Sequence, residues 1–337
     1  MNATMSLENT KHYPVMLNQI LSIASPQHGG TFIDCTFGGG GYSEAILKFP
    51  GTKVIALDRD KSIGQRADNL IKKFPERFNY YINKFSNLNK IIKPNTKPKA
   101  IIFDLGLSSY QISDHQRGFS FKSTESLNMQ MGINQYSAVE VVNNLDKESL
   151  TKVIKILGDE KDGKLIANKI IKYRKKKRIE TGKELSSIVN AAKRVYKRKK
   201  INPATKTFQA IRIFVNKELS ELITGLIAAT KLLSSGGILI VVSFHSLEDK
   251  IVKYFFSLNS NLKKNNSRYL PESDLGSDLF KVSLKKPLIP EEAEIYKNPQ
   301  SRSAKLRYAI RTENSFSFPG EFHKKFENYF KLEELII

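Results

Sequence analysis

Thr31-Phe32-Ile33-Asp34-Cys35-Thr36-Phe37-Gly38-Gly39-Gly40-Gly41-Tyr42-Ser43, with Lys53-Val54-Ile55-Ala56-Leu57-Asp58 a short way on, sets the architecture of this chain. A β-rich run enters four consecutive glycines and leaves through the helix-like Ser43-Glu44-Ala45-Ile46-Leu47. A doubly wound α/β domain brings its backbone close to a nucleotide-like ligand in this way, because glycine lacks the Cβ that would hold the ligand off. Asp58 closes the next strand twenty positions after Gly38, where a carboxylate accepts hydrogen bonds from both hydroxyls of a ribose. The pairing narrows the ligand to an adenosine-type cofactor.

The glycine spacing then separates two cofactors. A dinucleotide site wants G-x-G-x-x-G/A, so that a pyrophosphate rests on the helix N-terminus. Here the pattern from Gly38 and Gly40 ends in Ser43, and an acid, Asp34, precedes the loop. An acid there suits the positively charged methionine end of S-adenosylmethionine better than two phosphates. The reading is a methyl-donor site, with NAD as the alternative.

Further strand candidates are Phe78–Asn83, Ala100–Asp104 and Gly237–Ser243, joining Thr31–Thr36 and Val54–Asp58. Between about Ser109 and Thr207 the strand pattern gives way to helical periods such as Lys147–Leu157 and Gly163–Lys172. The expected organisation is therefore a methyltransferase-like core over 1–108 and 208–313, an inserted all-helical domain over 109–207, and an aromatic tail over 314–337. The tail carries Phe316, Phe318, Phe322, Phe326 and Phe330, a density that predicts docking on the core or on a second subunit, as in a homodimer.

At 337 residues and 40% hydrophobic, the chain can bury a core. Its single Cys35 excludes an intrachain disulfide, and the lack of a signal-like N-terminus or an apolar run near twenty residues predicts a cytoplasmic protein with no membrane span. The 55 basic residues outnumber 33 acidic ones, for a net charge of +22. The excess is focused: from Lys164 to Lys206 there are sixteen Lys and Arg against two acids, Glu180 and Glu184. The runs Lys172–Arg178 and Lys193–Lys200, spaced by Leu185, Ile188, Val189 and Ala192, read as basic faces of packed helices, with Lys175 and Arg178 among the candidate phosphate contacts. Such focusing points to a polyanion, RNA; a merely solvated charge run is the alternative.

Strand C-termini line the crevice of a doubly wound sheet, which places Asp104 at the site. It would orient the cofactor, accept a hydrogen bond from a substrate amino group, or simply initiate a turn. Ser243-Phe244-His245-Ser246-Leu247-Glu248-Asp249 follows the next crevice strand but lacks the G-x-S-x-G elbow of a hydrolase. Ser246 with Asp249 predicts a capping box, which leaves His245 unexplained and a candidate for the site. Arg302, Lys305 and Arg307 read either as substrate clamps or as the polar side of a half-buried strand through Leu306, Tyr308 and Ile310.

Six motifs in order carry a family resemblance: Tyr13–Leu17, Asp104–Gln111, Arg117–Phe121, Asn202–Arg212, Phe244–Asp249 and Asn298–Arg307. From about His12 to Arg311 the chain resembles the bacterial 16S rRNA (cytosine-N4)-methyltransferase family. The resemblance implies a class I S-adenosylmethionine-dependent fold with an inserted helical substrate domain, acting without a metal on a cytidine in the decoding region of the small ribosomal subunit. It implies cofactor contacts from Gly40, Gly41, Tyr42, Asp58, Phe85, Asp104 and Gln111, and a substrate face that includes Asn128 and Arg212. Asp104, His245 or water would take the proton. Three departures stand out: Tyr42 where the family usually has His, Ser126-Leu127-Asn128-Met129-Gln130-Met131-Gly132 in place of Pro-Leu-Asp-Met-Arg-Met-Asp, and Val141 where a Trp is common. If those changes had removed the chemistry, the chain would be a non-catalytic rRNA-binding assembly factor on the same fold.

Overall fold

The computed structural model describes residues 13–193, 202–260, 278–317 and 320–335. His12, Phe318 and the basic run Arg194–Lys200 lie outside them. The chain divides into two compact units, one built from residues 1–110 and 228–317, the other from 111–227 and 318–337.

The first unit is an α/β sheet. Its strands are β1 (Gly30–Asp34), β2 (Thr52–Asp58), β3 (Phe78–Ile82), β4 (Ala100–Asp104), β5 (Ile238–Ser243), β6 (Phe280–Lys281) and β7 (Lys305–Arg311), in the order β3-β2-β1-β4-β5-β7-β6 among the described residues. Strands β1 to β5 pair in parallel, and β7 joins β5 antiparallel. Ala100 to Phe103 and Leu239 to Val242 are all buried, as continuous apolar strands covered on both faces should be. β3, at one edge, buries Phe78 and leaves Tyr81 and Ile82 exposed. The other edge is the two-residue β6, a length that offers little template for a stray strand. Chain order reverses at β1, which pairs with β2 on one side and β4 on the other; a ligand crevice opens at such a point, beyond the strand C-termini.

The second unit is helical. Lys147–Leu157 turns Leu150, Val153, Ile154 and Leu157 inward, and Gly163–Arg174 and Gly182–Ala192 do the same at helical spacing. Capping boxes Ser137/Glu140 and Thr181/Glu184 start two of its helices, satisfying donors that have no partner within the helix. Gly118, at φ +70°, lies so close to the Ser126–Asn128 backbone that an added Cβ would sit 2.3 Å from the Ser126 carbonyl oxygen.

The boundaries of this unit differ from the expected 109–207. Thr205–Asn216 packs on Lys147–Leu157, with Gly158 at the crossing, where a Cβ would come within 2.5 Å of the Lys206 carbonyl. The Asn202–Arg212 motif is therefore part of the helical unit. So is the aromatic tail: its helix Gly320–Glu333 buries Phe322, Phe326, Tyr329 and Leu332, and Glu333 accepts the Leu219 and Ser220 N–H groups at 3.1 Å each. Burial pushes that carboxyl up to about 7 even though both backbone donors favour its charged form.

Candidate active site

The glycine loop is held from three directions. Phe37 N–H bonds to the Leu57 carbonyl, Gly38 N–H to Asp58 Oδ2 at 2.8 Å, and Ser43 Oγ to Asp34 Oδ2 at 2.7 Å. Gly40 takes φ +78° as the N-cap of the helix Gly41–Leu47, and a Cβ on Gly41 would stand 2.2 Å from Pro14 Cγ. The Tyr13–Leu17 motif thus requires the glycine that follows the loop. Asp58 Oδ1 accepts the Asp60 N–H at 2.9 Å, so both carboxylate oxygens are already aimed by backbone donors. Each oxygen keeps a second lone pair for a ribose hydroxyl.

Three carboxyls ring the loop. Asp34 is buried and rises to about 6 because burial outweighs its bonds from Ser43 and Thr36. Asp58 rises to about 6, with burial again ahead of the Asp60 and Gly38 donors. Asp104, ending β4, rises furthest, to about 8: burial comes first, then the Asp34 charge, with the Tyr42 hydroxyl pulling the other way. Its backbone N–H is fixed by Thr36 Oγ1 at 2.7 Å, while its Oδ1 is sealed from solvent and has no hydrogen-bond partner. A buried acceptor without a donor costs on the order of 1–3 kcal/mol, which a ligand's N–H or positive charge would recover. The set fits S-adenosylmethionine: glycines for close approach, an acid aimed at the ribose, and negative potential for a sulfonium and an ammonium. A pyrophosphate would meet three acids.

The other expected cofactor residues are placed unevenly. Phe85, half-buried after β3, stands edge-on to Phe103 with ring centroids 5.1 Å apart, leaving a face for an adenine. Tyr42 is in the core, its hydroxyl donating to the Val15 carbonyl at 2.5 Å, and it reaches the site only through that hydroxyl beside Asp104. Gln111 is buried at the start of the second unit.

At the end of β5 the expected cap is corrected. The helix Ser246–Leu258 is capped by His245 with Glu248, not by Ser246 with Asp249. His245 is extended, its Nδ1 accepts the Glu248 N–H at 3.4 Å, and Glu248 returns to the Phe244 and His245 N–H groups. Asp249 is drawn away by Arg307 Nε at 2.7 Å and Lys305 Nζ at 3.1 Å, whose bonds overcome burial and hold it below the usual carboxylate range. Capping accounts for His245 Nδ1 alone; its buried Nε2 lies 3.1 Å from Glu248 Oε1 without a hydrogen bond, and Arg307 and Lys305 lean on Asp249 rather than projecting as free clamps. Arg302 is exposed in the turn Pro299–Ser303 that leads into β7.

Within the helical unit, Lys175 and Arg178 are exposed just past the helix Gly163–Arg174, with Lys172, Lys176 and Lys177 beside them; Lys177 pairs with Glu184 at 2.6 Å. Arg212 forks onto Glu218 through Nε at 2.9 Å and Nη2 at 2.8 Å. Asn128 Oδ1 accepts the Gln130 N–H at 3.0 Å. Sequence reasoning passed over Asn216, which is fully buried, accepts the Met131 N–H and donates to the Met129 carbonyl. Asn216 therefore holds the altered Ser126–Gly132 segment by its backbone, whatever side chains that segment carries. It passed over Thr36 too, whose only signal was a hydroxyl two residues beyond Asp34.

The sheet order and the acid-ringed glycine loop define the class I methyltransferase fold. The profile of the MraW methylase family matches residues 9–312, and the chain belongs to that family. Among its relatives, a protein of Ehrlichia canis called ribosomal RNA small subunit methyltransferase H is 44% identical over 89% of this chain and 99% of its own. One of the same name from Orientia tsutsugamushi is 41% identical over 90% and 99%. In shape, a putative rRNA-methylase of Clostridium thermocellum, 12% identical, aligns over 89% of this chain and 98% of its own with a TM-score of 0.39; the fold assignment rests on the sheet order instead. No helix among the described residues is long and apolar enough to cross a membrane.

Proposed function

We propose that this protein transfers a methyl group from S-adenosylmethionine to the exocyclic N4 of a cytidine in the decoding region of 16S rRNA, in the cytoplasm. The observation that carries the reading is Asp104, an acid at the crevice end of β4 with a sealed, unpartnered oxygen, beside a glycine loop braced by Asp58. Family membership supports methyl transfer, and the relatives' names support the small-subunit rRNA. The N4 position follows from the resemblance carried by the six motifs.

Bound S-adenosylmethionine supplies a methyl carbon activated by a sulfonium. The chain's task is to present a poor nucleophile to it, because the N4 lone pair of cytosine is delocalised into the ring. Holding two reactants in line is worth up to ~7–11 kcal/mol in favourable cases. Asp104, when ionised, accepts an N4–H bond, localises the lone pair and stabilises positive charge developing on the nitrogen. The amine becomes acidic as it is alkylated, so the proton passes to Asp104 or to water. The target base leaves its stack to reach the crevice, and exposed Lys175, Lys176 and Arg178 supply phosphate contacts to the RNA.

Small ribosomal subunits lacking their methylations, incubated with the protein and methyl-labelled S-adenosylmethionine, test this. Label is expected in their 16S rRNA; cofactor and subunit binding without label would replace the enzyme by a non-catalytic assembly factor.

A further inference from the structure

The Arg66 guanidinium lies over the face of the Tyr110 ring, 4.1 Å from its centroid. Arg66 is on the helix Gly64–Lys73, which follows β2 through the turn Lys61–Ile63; Tyr110 is on the short helix that follows β4. Strands β2 and β4 are not neighbours, since β1 runs between them. With strands about 4.8 Å apart, a contact between elements leaving β2 and β4 has to pass above the end of β1, where the glycine loop begins. The segment before Tyr110 leans the same way: a Cβ on Gly38 would be 3.5 Å from Ser108 Cβ. Asp58, which braces Gly38, ends the strand on Arg66's side. The Arg66 Nε is shut off from solvent without an acceptor.

From this geometry we infer that Arg66 and Tyr110 form a cation–π arch over the β2–β1–β4 edge that retains the adenosine part of the cofactor. The inference rests on the proposed S-adenosylmethionine site and adds to it two residues that act on cofactor residence rather than on methyl transfer. Both sides of the arch are needed: the ring supplies the negative face, the guanidinium the charge, and the pair joins two elements that otherwise part at the crevice. An arch closed over bound ligand slows its escape more than its entry, so the effect belongs mainly to the dissociation rate. Arg66 also keeps an unused donor for an acceptor on the ligand.

The test measures equilibrium binding and dissociation rates of S-adenosylmethionine and S-adenosylhomocysteine for the intact protein, alongside thermal unfolding without ligand. Arg66→Ala and Tyr110→Ala are each expected to weaken both ligands about tenfold, the order of a desolvated cation–π contact, through faster dissociation. Tyr110→Phe, which keeps the ring, should bind like the wild type, and the double variant should lose no more than either single one. Arg66→Met, which keeps the aliphatic stem, replaces Arg66→Ala if that variant unfolds. Wild-type affinity in the Arg66 and Tyr110→Ala variants, or additive losses in the double variant, overturns the arch alone. A wild-type protein that binds neither ligand overturns the cofactor reading beneath it.

Discussion

Gly38 donates its backbone N–H to Asp58 Oδ2 at 2.8 Å, so the acid placed for the ribose also holds the loop that approaches the ligand. Its other oxygen takes the Asp60 N–H. Asp58→Asn would turn an amide NH2 toward one of two N–H donors, and is therefore nearly as damaging as Asp58→Ala. Both are expected to weaken S-adenosylmethionine about 100-fold, roughly the loss of one or two hydrogen bonds to a charged acceptor. Titration calorimetry reads this directly.

The raised carboxyls set a pH dependence with opposite signs for stability and binding. Asp104 titrates near 8 in the folded protein against 3.8 ordinarily. Between those values the folded state keeps a proton that the unfolded state releases, so the stability of the ligand-free protein falls as pH rises toward 8 and levels off above it, with a slope of at most ~1.4 kcal/mol per pH unit from this group. A cationic ligand prefers ionised Asp104, so S-adenosylmethionine affinity should instead rise from pH 6.5 to about 8.5. Asp104→Asn should flatten both profiles, measured by thermal unfolding and by calorimetric titration.

Arg212 and Glu218 pair through one guanidinium edge and both carboxylate oxygens in a largely buried pair. Removing one partner strands the other charge, at a cost of about 3 kcal/mol. Arg212→Ala should lower the unfolding midpoint clearly, and Arg212→Ala with Glu218→Ala should lower it less than Arg212→Ala alone. An Arg212 that only touched substrate would leave the midpoint unmoved.

Lys175, Lys176 and Arg178 project from the end of one helix. Each phosphate contact contributes about 0.9 to the slope of log affinity against log salt on a duplex. The triple alanine variant should bind rRNA more weakly and with a slope shallower by about 2 to 3, while its affinity for S-adenosylmethionine stays at the wild-type value. Salt-dependent binding isotherms on small-subunit rRNA check both halves.

The core strands and Asp58 were legible because a parallel sheet writes itself as short apolar runs ended by glycine or an acid, and Ala100–Asp104 came out residue for residue. Lys147–Leu157 was equally plain from its period. The cap after β5 was misread by one position, since Ser246/Asp249 and His245/Glu248 fit the same spacing; the choice was made by Arg307 and Lys305, about 60 residues away, which claim Asp249. Arg212 looked available because its partner Glu218 is set by a helix end, not by a motif. The aromatic tail signalled burial but not its place, which depends on Glu333 meeting the Leu219 and Ser220 N–H groups across 114 and 113 residues of chain. Asn216 left no sequence signal, because its bonds to the Ser126–Gly132 segment go to backbone atoms.

The most direct measurement is nucleoside analysis of 16S rRNA methylated by the wild-type protein and by Asp104→Ala on small subunits that lack the modification. The account predicts label in N4-methylcytidine from a single decoding-region position, lost in Asp104→Ala. Label on a ring carbon, on a ribose or on another base, or an Asp104→Ala variant as active as the wild type, would contradict it.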